Sequence, residues 1–422
     1  MKIKTSQITS YIGQTITMHL TLEALRDQKH LQFLIGGDKS GKLQLVVQKS
    51  KVEQHAEISE LLEGSTFSVT GLIVEAKQSK TFGVEMQVDS IIIHSKSLPR
   101  PIMEDSSIDL RFDYRVVDLK HPKRQLMLQL RSAFEAGCRE YLLQKEFTEI
   151  HTPKLMAQAS ESGSQVFEVK YFDKKAYLSQ SPQFYKQCSI ASGLEAIFEI
   201  GPVFRAEESH STRHMTEFTG FDVEFAWCFE TADVMKLEED ILTYAFSKLE
   251  PFKEKVMELY GIELMTKPTV QYITLAEAKK ILADELKLSV GQDLPDEGER
   301  LLYEKLGKDL IFISDYPIGK RPFYHMRETE KGTTKSFDLI FKGIEITTGA
   351  IREHRIDILE QQAIEKGIQP ESIHHYLDSF KYGCPPHGGF GLGIERVIAK
   401  LLGLGSVKEV SFVPRDPDRL TP

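Results

Sequence analysis

Two residue types are scarce in this chain of 422 residues: tryptophan occurs once, at Trp227, and cysteine four times. The cysteines, Cys138, Cys188, Cys228 and Cys384, stand 50, 40 and 156 positions apart, so no CxxC metal or redox pair exists. Reduced thiols in a cytoplasmic protein are the expectation. No apolar run approaches the roughly 18 residues that span a bilayer, and no membrane partner is expected. The opening MKIKTSQITSYIGQ lacks the apolar stretch of a secretory signal. Excess basic charge is missing too: 53 Lys+Arg face 62 Asp+Glu, a net charge of −9. That excludes a protein that coats nucleic acid indiscriminately but not a selective binder with a local basic face. With 41% hydrophobic residues the chain is not a disordered tail, and its length suits two to four domains.

Composition shifts near residue 100. Residues 1–100 carry 12 Lys+Arg against 10 Asp+Glu, so the acidic excess lies beyond them. Short, partly alternating runs (TITMHLTLEAL, LQFLIGG, KLQLVVQ, STFSVTGLIVEA, GVEMQVDSIII) predict a small antiparallel barrel over 1–97. LPRPI opens a linker assigned to 98–122. LMLQLRSAFEAGCREYLLQKEF has apolar residues at helical spacing, and the mixed elements after it predict an α+β domain with an antiparallel sheet over 123–422.

Three decoys are set aside. Gly36–Lys42 satisfies GxxxxGK, but Leu43 stands where a P-loop needs a hydroxyl and a strand pattern follows, so a hairpin turn is expected. HGGFGLG (387–393) fails GxGxxG because Glu395 and Arg396 fall near its last glycine position. His210 and His214 have metal-ligand spacing on a helix, yet lie between two strand-like runs with no third ligand nearby.

Four stretches remain. In 198–227 two alternating runs flank a polar loop, with Arg205 leaving one strand and Phe218 entering the other. Asp222 and Glu224 share one face and Phe221, Val223 and Phe225 the other. A solvated hairpin satisfies this pattern; so does a site where arginine holds a phosphate and an aromatic ring stacks a base. In 335–355 a Lys342-Gly343 turn pairs Ile340 with Glu345 and puts Asp338 on the face of Glu345. Ion pairing to lysines or a shared Mg²⁺ would each relieve that repulsion. In 387–404 small residues at 388, 389, 391 and 393 permit close approach, and a helix starting near Ile394 carries Arg396 in its first turn. Such an arginine opposes the helix dipole unless an anion is shared there. In 160–187 Gln183 and Lys186 lie one helical turn apart after a Ser-Pro start, able to present an amide and an ammonium to one ligand.

Together these stretches resemble the class II aminoacyl-tRNA synthetases, in the compact archaeal/eukaryotic aspartyl type of the Asp, Asn and Lys subclass. EFTEIHTP looks like the end of motif 1 (126–153), FRAEESHSTRHMTEF like motif 2 (198–227) and GLGIERV like motif 3 (387–404). The resemblance covers essentially the whole chain. It implies an α+β fold: an N-terminal OB-fold β-barrel for the anticodon, then a class II catalytic domain with an antiparallel β-sheet flanked by helices. Some 150 residues between motifs 2 and 3 leave no room for the large bacterial insertion.

Carried over, the resemblance implies that Phe218 stacks on adenine and that Arg205 clamps the α-phosphate and the substrate's α-carboxylate. Glu207, Arg213, His214 and Gly393 help hold ATP, Arg396 meets the γ-phosphate, and Arg205 and Arg396 are the catalytic pair. Asp338 and Glu345 match the Mg²⁺ ligands, Glu345 also facing ATP. Glu161 and Asp222 belong around the α-ammonium of L-aspartate; Gln183, Lys186, Thr348 and Arg352 belong to the aspartate pocket. Phe33, Gln44 and Glu85 match anticodon-binding positions. Expected partners are ATP, L-aspartate, tRNA-Asp, tRNA-Asn as a relaxed second substrate, and a second copy forming a homodimer through motif 1.

Two departures stand out: Thr348 where Ser is common, and Ile351 where Gln is common, which loses or reroutes a hydrogen bond. Lys186 and Arg352 would favour a carboxylate over an amide, so aspartate is preferred to asparagine as substrate. The alternatives are an asparaginyl-tRNA synthetase, a paralogue making asparagine, and an inactive RNA-binding paralogue.

Overall fold

The computed structural model describes residues 3–77, 79, 83–157, 166–286 and 291–422. The chain divides into two compact units, Met1–Asp105 and Ser106–Pro422.

The first unit is a closed barrel of β1 (Thr15–Asp27), β2 (Leu31–Asp38), β3 (Gly41–Gln48), β4 (Thr66–Glu75) and β5 (Val84–Ser95), ordered β1-β2-β3-β5-β4. Alternation, broken where the ladders shift register, fills it: Leu34, Leu43, Leu45, Val69, Ile73 and Met86 point inward and are fully buried. Asp38 pairs with Gly41, so the GxxxxGK stretch is a hairpin turn. One expectation needs correcting, because β3 and β5 run parallel and the barrel is not wholly antiparallel. Alternation in a strand reports which face is buried, not the direction of its neighbour.

The linker is also shorter than 98–122. Helices Ile108–Asp113 and Arg115–Asp118 lie in the second unit. There Arg115 is fully buried, its Nη1 2.6 Å from Asp118 and its Nη2 donating to the Glu409 carbonyl at 2.6 Å. Arg111 also meets Glu409, at 3.3 Å. Buried charges persist only when paired, and these pairs tie the segment to residues near the C-terminus.

The second unit is built on one eight-stranded sheet. In chain order its parts are α1 (Pro122–Gln144), β6 (Thr148–Glu149), α2 (Gln183–Ala191), β7 (Ala196–Phe204), β8 (Glu217–Ala226), α3 (Thr231–Ser247) and β9 (Val270–Thr274). They continue with α4 (Asp296–Leu306), β10 (Leu310–Ser314), β11 (Ser336–Phe341), β12 (Ile344–Ile351), β13 (His387–Gly393) and α5 (Ile394–Leu401). The strand order is β9-β10-β11-β12-β13-β8-β7-β6, antiparallel except for the outermost pairs β9·β10 and β7·β6. Pro122 opens α1 at its first position, where no amide donor is needed. Leu130, Phe134, Cys138 and Leu142 of α1 pack with Ile241, Leu242 and Phe246 of α3 against Phe198, Phe221, Val223 and Phe390 of the sheet. One sheet face is thereby sealed, and the chemistry is left to the other.

No helix among the described residues is long and apolar enough to cross a membrane.

Candidate active site

The open face of β8, β12 and β13 forms the floor of a cavity. Phe221 and Val223 turn into the core, which sends Asp222 and Glu224 to the opposite face. β13 can lie close to them because it is glycine-rich: a Cβ on Gly389 would overlap the Val223 carbonyl and the Glu224 carboxylate, and one on Gly391 would come within 3.0 Å of Asp222 Oδ1.

One end of the cavity carries the β7–β8 hairpin. The Arg205 guanidinium sits over the Phe218 ring, 5.4 Å from its centroid, with both residues on the cavity wall. Among the described residues that guanidinium has no ion pair. Glu207 and His214 line the same wall. Burial, then the charge of Arg396, lowers the pKa of His214, whose Nδ1 lies 2.5 Å from the Ser211 hydroxyl. Arg213 reaches across to α4, 2.6 Å from Asp296 and 3.2 Å from Glu299.

Lys342 and Gly343 both take positive φ, 46° and 79°, in the two-residue turn between β11 and β12, and Ile340 pairs with Glu345. Arg396, in the first turn of α5 after Gly393, donates to the Glu345 carbonyl at 2.8 Å. Loss of water contact first, then repulsion from Asp338, pushes the carboxyl of the partly exposed Glu345 up, with Arg396 pulling it back.

Two expected residues stand behind the cavity wall. Asp338 shares the sheet face, but its Oδ2 is 2.6 Å from Arg321 and its Oδ1 accepts from Thr348 at 2.8 Å. Arg321 is the cation that relieves the expected repulsion. Lys186 is wholly buried, so its ammonium is not on display beside Gln183. Its Nζ lies 2.9 Å from Asp222, 3.4 Å from Glu224 and 2.9 Å from the Phe390 carbonyl. Two buried carboxylates on one strand face need that charge between them. Burial pushes Asp222 up against the pull of Lys186. Glu224 is held below the usual carboxylate range, because Arg352 and Lys186 together outweigh its burial.

Gln183, Thr348 and Arg352 complete the wall, with Arg352 bound side-on to Glu224 at 2.8 Å. Ile351 is buried in the core, so its difference from Gln does not reach the cavity. Glu161 lies outside the described residues. In the barrel, Phe33, Gln44 and Glu85 share the outer face of β2, β3 and β5, with Gln44 Nε2 3.0 Å from Glu85.

The model of the tRNA synthetases class II (D, K and N) matches residues 107–417, about three quarters of the chain. The chain belongs to that family. It is therefore an aminoacyl-tRNA synthetase. It is 40% identical to the aspartate–tRNA(Asp/Asn) ligase of Thermus thermophilus, with all of both chains covered. Against the aspartate–tRNA(Asp) ligase of Pyrococcus abyssi it is 38% identical, over 99% of this chain and 98% of that one. Among solved structures, asparaginyl-tRNA synthetase from Pyrococcus horikoshii complexed with asparaginyl-adenylate superposes with a TM-score of 0.94 at 31% identity, both chains fully covered.

Class II synthetases act on ATP, and the donors here fit a hard cation brought in with it. No three His, Cys, Asp or Glu side chains cluster as a metal cage among the described residues. Mg²⁺ needs no such cage, since it is held by one or two carboxylates plus phosphate oxygens. Glu345, with its proton affinity raised by lost water contact and by Asp338, is a carboxylate that a cation would relieve.

Sequence reasoning missed three residues of this synthetase site. Glu299 accepts from the Glu345 amide at 2.8 Å and from Arg213. Arg321 neutralises Asp338, and His325 lies 3.0 Å from Arg352. Arg321 and His325 fall in KRPFYHM, which has no strand or helix periodicity and no motif to single them out.

Proposed function

We propose that this synthetase is an aspartate–tRNA ligase. It activates L-aspartate with ATP and transfers it to the 3′-OH of tRNA-Asp. The observation that carries this reading is the Arg352 guanidinium on the cavity wall, anchored by a buried carboxylate and backed by donors suited to an acidic side chain. The full-length likeness to aspartate–tRNA ligases supports it.

Adenine lies against Phe218 and the α-phosphate against Arg205, with Glu207, Arg213, His214 and Gly393 around the nucleotide and Arg396 at the γ-phosphate. Asp222 and Glu161 receive the α-ammonium of aspartate; Gln183, Thr348 and Arg352 meet the rest of the amino acid, with Lys186 setting the charge of Asp222 from behind. Glu345 would hold Mg²⁺, with Asp338 behind it only if Arg321 releases its carboxylate, and the ion would neutralise phosphate oxygens. The aspartate α-carboxylate attacks the α-phosphorus in line, forming a mixed anhydride and expelling pyrophosphate. The ribose 3′-OH of tRNA then attacks the carbonyl carbon, and AMP leaves with the bond electrons, its phosphate taking up the hydroxyl proton. Neither step needs a protein nucleophile; Arg205 and Arg396 act by positioning and by neutralising charge.

Phe33, Gln44 and Glu85 contact the anticodon. A homodimer in the cytoplasm forms through motif 1, where Leu143 is half exposed. We also propose that tRNA-Asn is charged, a behaviour named for the Thermus relative and not for the Pyrococcus abyssi one. Aspartylation of tRNA-Asp and tRNA-Asn transcripts side by side tests both points. Failure with both sinks the ligase reading, and rejection of tRNA-Asn alone sinks the relaxed one. The Pyrococcus horikoshii likeness keeps asparagine as the second candidate, separated by which amino acid drives ATP–pyrophosphate exchange.

A further inference from the structure

Four of the five guanidinium protons of Arg352 are accounted for. Nε donates to Glu224 Oε1 at 2.8 Å. Nη2 donates to the Gly389 carbonyl at 2.9 Å and divides its other proton between Gln183 Oε1 and Glu224 Oε2, each at 3.3 Å. Nη1 lies 3.0 Å from His325 Nε2. Arginine never accepts, so Nε2 of His325 must be the acceptor; the ring is neutral and its proton sits on Nδ1. Burial, followed by the charge of Arg352, holds the imidazole pKa well below its ordinary value, which agrees with that tautomer.

Within this cluster three donor groups then remain unspent. One is the second N–H of Arg352 Nη1. The others are His325 Nδ1 and Gln183 Nε2, both buried without a partner. The Gln183 amide is oriented by the same logic, since its oxygen faces Arg352. All three residues line the cavity. A histidine that merely filled the core would have both ring nitrogens satisfied, because an unpaired buried donor is costly.

We infer that His325 is a specificity-determining residue for the acidic amino acid: it aims the last free N–H of Arg352 and, with its own Nδ1–H and the Gln183 amide, offers the ligand donors only. This rests on the aspartate reading above. A carboxylate can accept at both oxygens. A carboxamide of the same shape brings an NH₂ against one of these donors, leaving two N–H groups facing each other out of water. The discrimination thus needs His325 neutral, since a doubly protonated ring could not accept from Arg352.

ATP–pyrophosphate exchange on the full-length enzyme tests this with His325→Leu and His325→Gln. Gln restores an acceptor toward Arg352 and carries a donor of its own. His325→Leu should raise KM for aspartate more than about tenfold and cut the preference for aspartate over asparagine by about tenfold or more, with KM for ATP within about twofold of wild type. His325→Gln should recover most of both. An unchanged preference in the Leu variant overturns the inference, as does a joint rise in both KM values without rescue by Gln. Should the Leu variant not fold, ¹⁵N-histidine NMR of the wild type decides, the signal being assigned by its loss in His325→Gln. A neutral Nδ1–H ring whose resonance moves on adding aspartate supports the role; an Nε2–H ring, or a resonance that does not move, overturns it. If the wild type activates asparagine and not aspartate, the ligase reading fails, which the tautomer measurement alone would not reveal.

Discussion

Arg352 and Glu224 meet side-on at the cavity wall, Nε at 2.8 Å from Oε1 and Nη2 at 3.3 Å from Oε2, with both residues buried. Lys186 approaches the same carboxylate at 3.4 Å. One acidic side chain therefore anchors two buried cations. Glu224→Gln keeps the shape and removes the charge, leaving Arg352 without its counterion and Lys186 with Asp222 alone. Breaking such a pair from one side costs about 3–5 kcal/mol. Urea unfolding at neutral pH should show a loss of that order, with KM for aspartate raised as Arg352 loosens. A loss below about 1 kcal/mol would mean that the pair is not the anchor described.

Lys186 makes a different prediction from a ligand-contacting lysine. Removing it in Lys186→Leu strips Asp222 of its cation beside Glu224, which keeps only Arg352. Folding stability and aspartate-dependent pyrophosphate exchange should fall together, the latter by about one to three orders of magnitude. A second change, Asp222→Asn, should return part of the stability without the activity, because it removes the repulsion and also the group facing the α-ammonium. Thermal melts of the single and double variants check this coupling.

The Arg205 guanidinium lies over the Phe218 ring with no competing ion pair among the described residues. Arg205→Lys keeps the charge but loses the flat, forked donor set. Exchange kcat/KM for ATP should drop about 10²–10³-fold, the size found when one donor to a developing charge is removed. Melting should be unaffected, since Arg205 is exposed. A drop of less than about threefold would place the α-phosphate elsewhere.

The contrast between these residues shows how much was legible in the sequence. Alternation in 217–226 fixed which side of β8 carries Asp222 and Glu224, and the Lys342-Gly343 turn fixed the pairing of Ile340 with Glu345, because both are local rules of period and turn geometry. The start of α5 ahead of Arg396 was equally local. What charge spends itself on which partner was not legible. Arg321 reaches Asp338 from a stretch without periodicity, and a bulge between Leu339 and Ile340 shifts the ladder where no residue announces it. Lys186 looked available because its helical spacing from Gln183 is correct, but the carboxylates that claim it come from another element. Spacing within an element survives folding; the choice of partner is made by the packing of elements far apart in the chain.

Glu238 of α3 tests the buried electrostatics without touching the cavity. Its side chain is wholly buried, one oxygen accepts from Thr347 at 2.6 Å, and the other has no partner. Burial pushes its carboxyl up to about 8, with only the Thr347 hydroxyl opposing. In the unfolded chain the same group ionises near its ordinary value of 4.5. Between these two values the folded protein keeps a proton that the unfolded chain has released, so stability falls as pH rises through that window and levels off above about 8. Glu299, pushed up to about 7 mainly by burial, adds a slope of the same sign. Glu238→Gln cannot ionise and can donate from the unpaired side, so its urea midpoint should fall less steeply than that of the wild type from pH 5 to pH 8, the two curves diverging toward the alkaline end. Parallel curves would mean that Glu238 is ionised in the folded protein and that water or a cation reaches it.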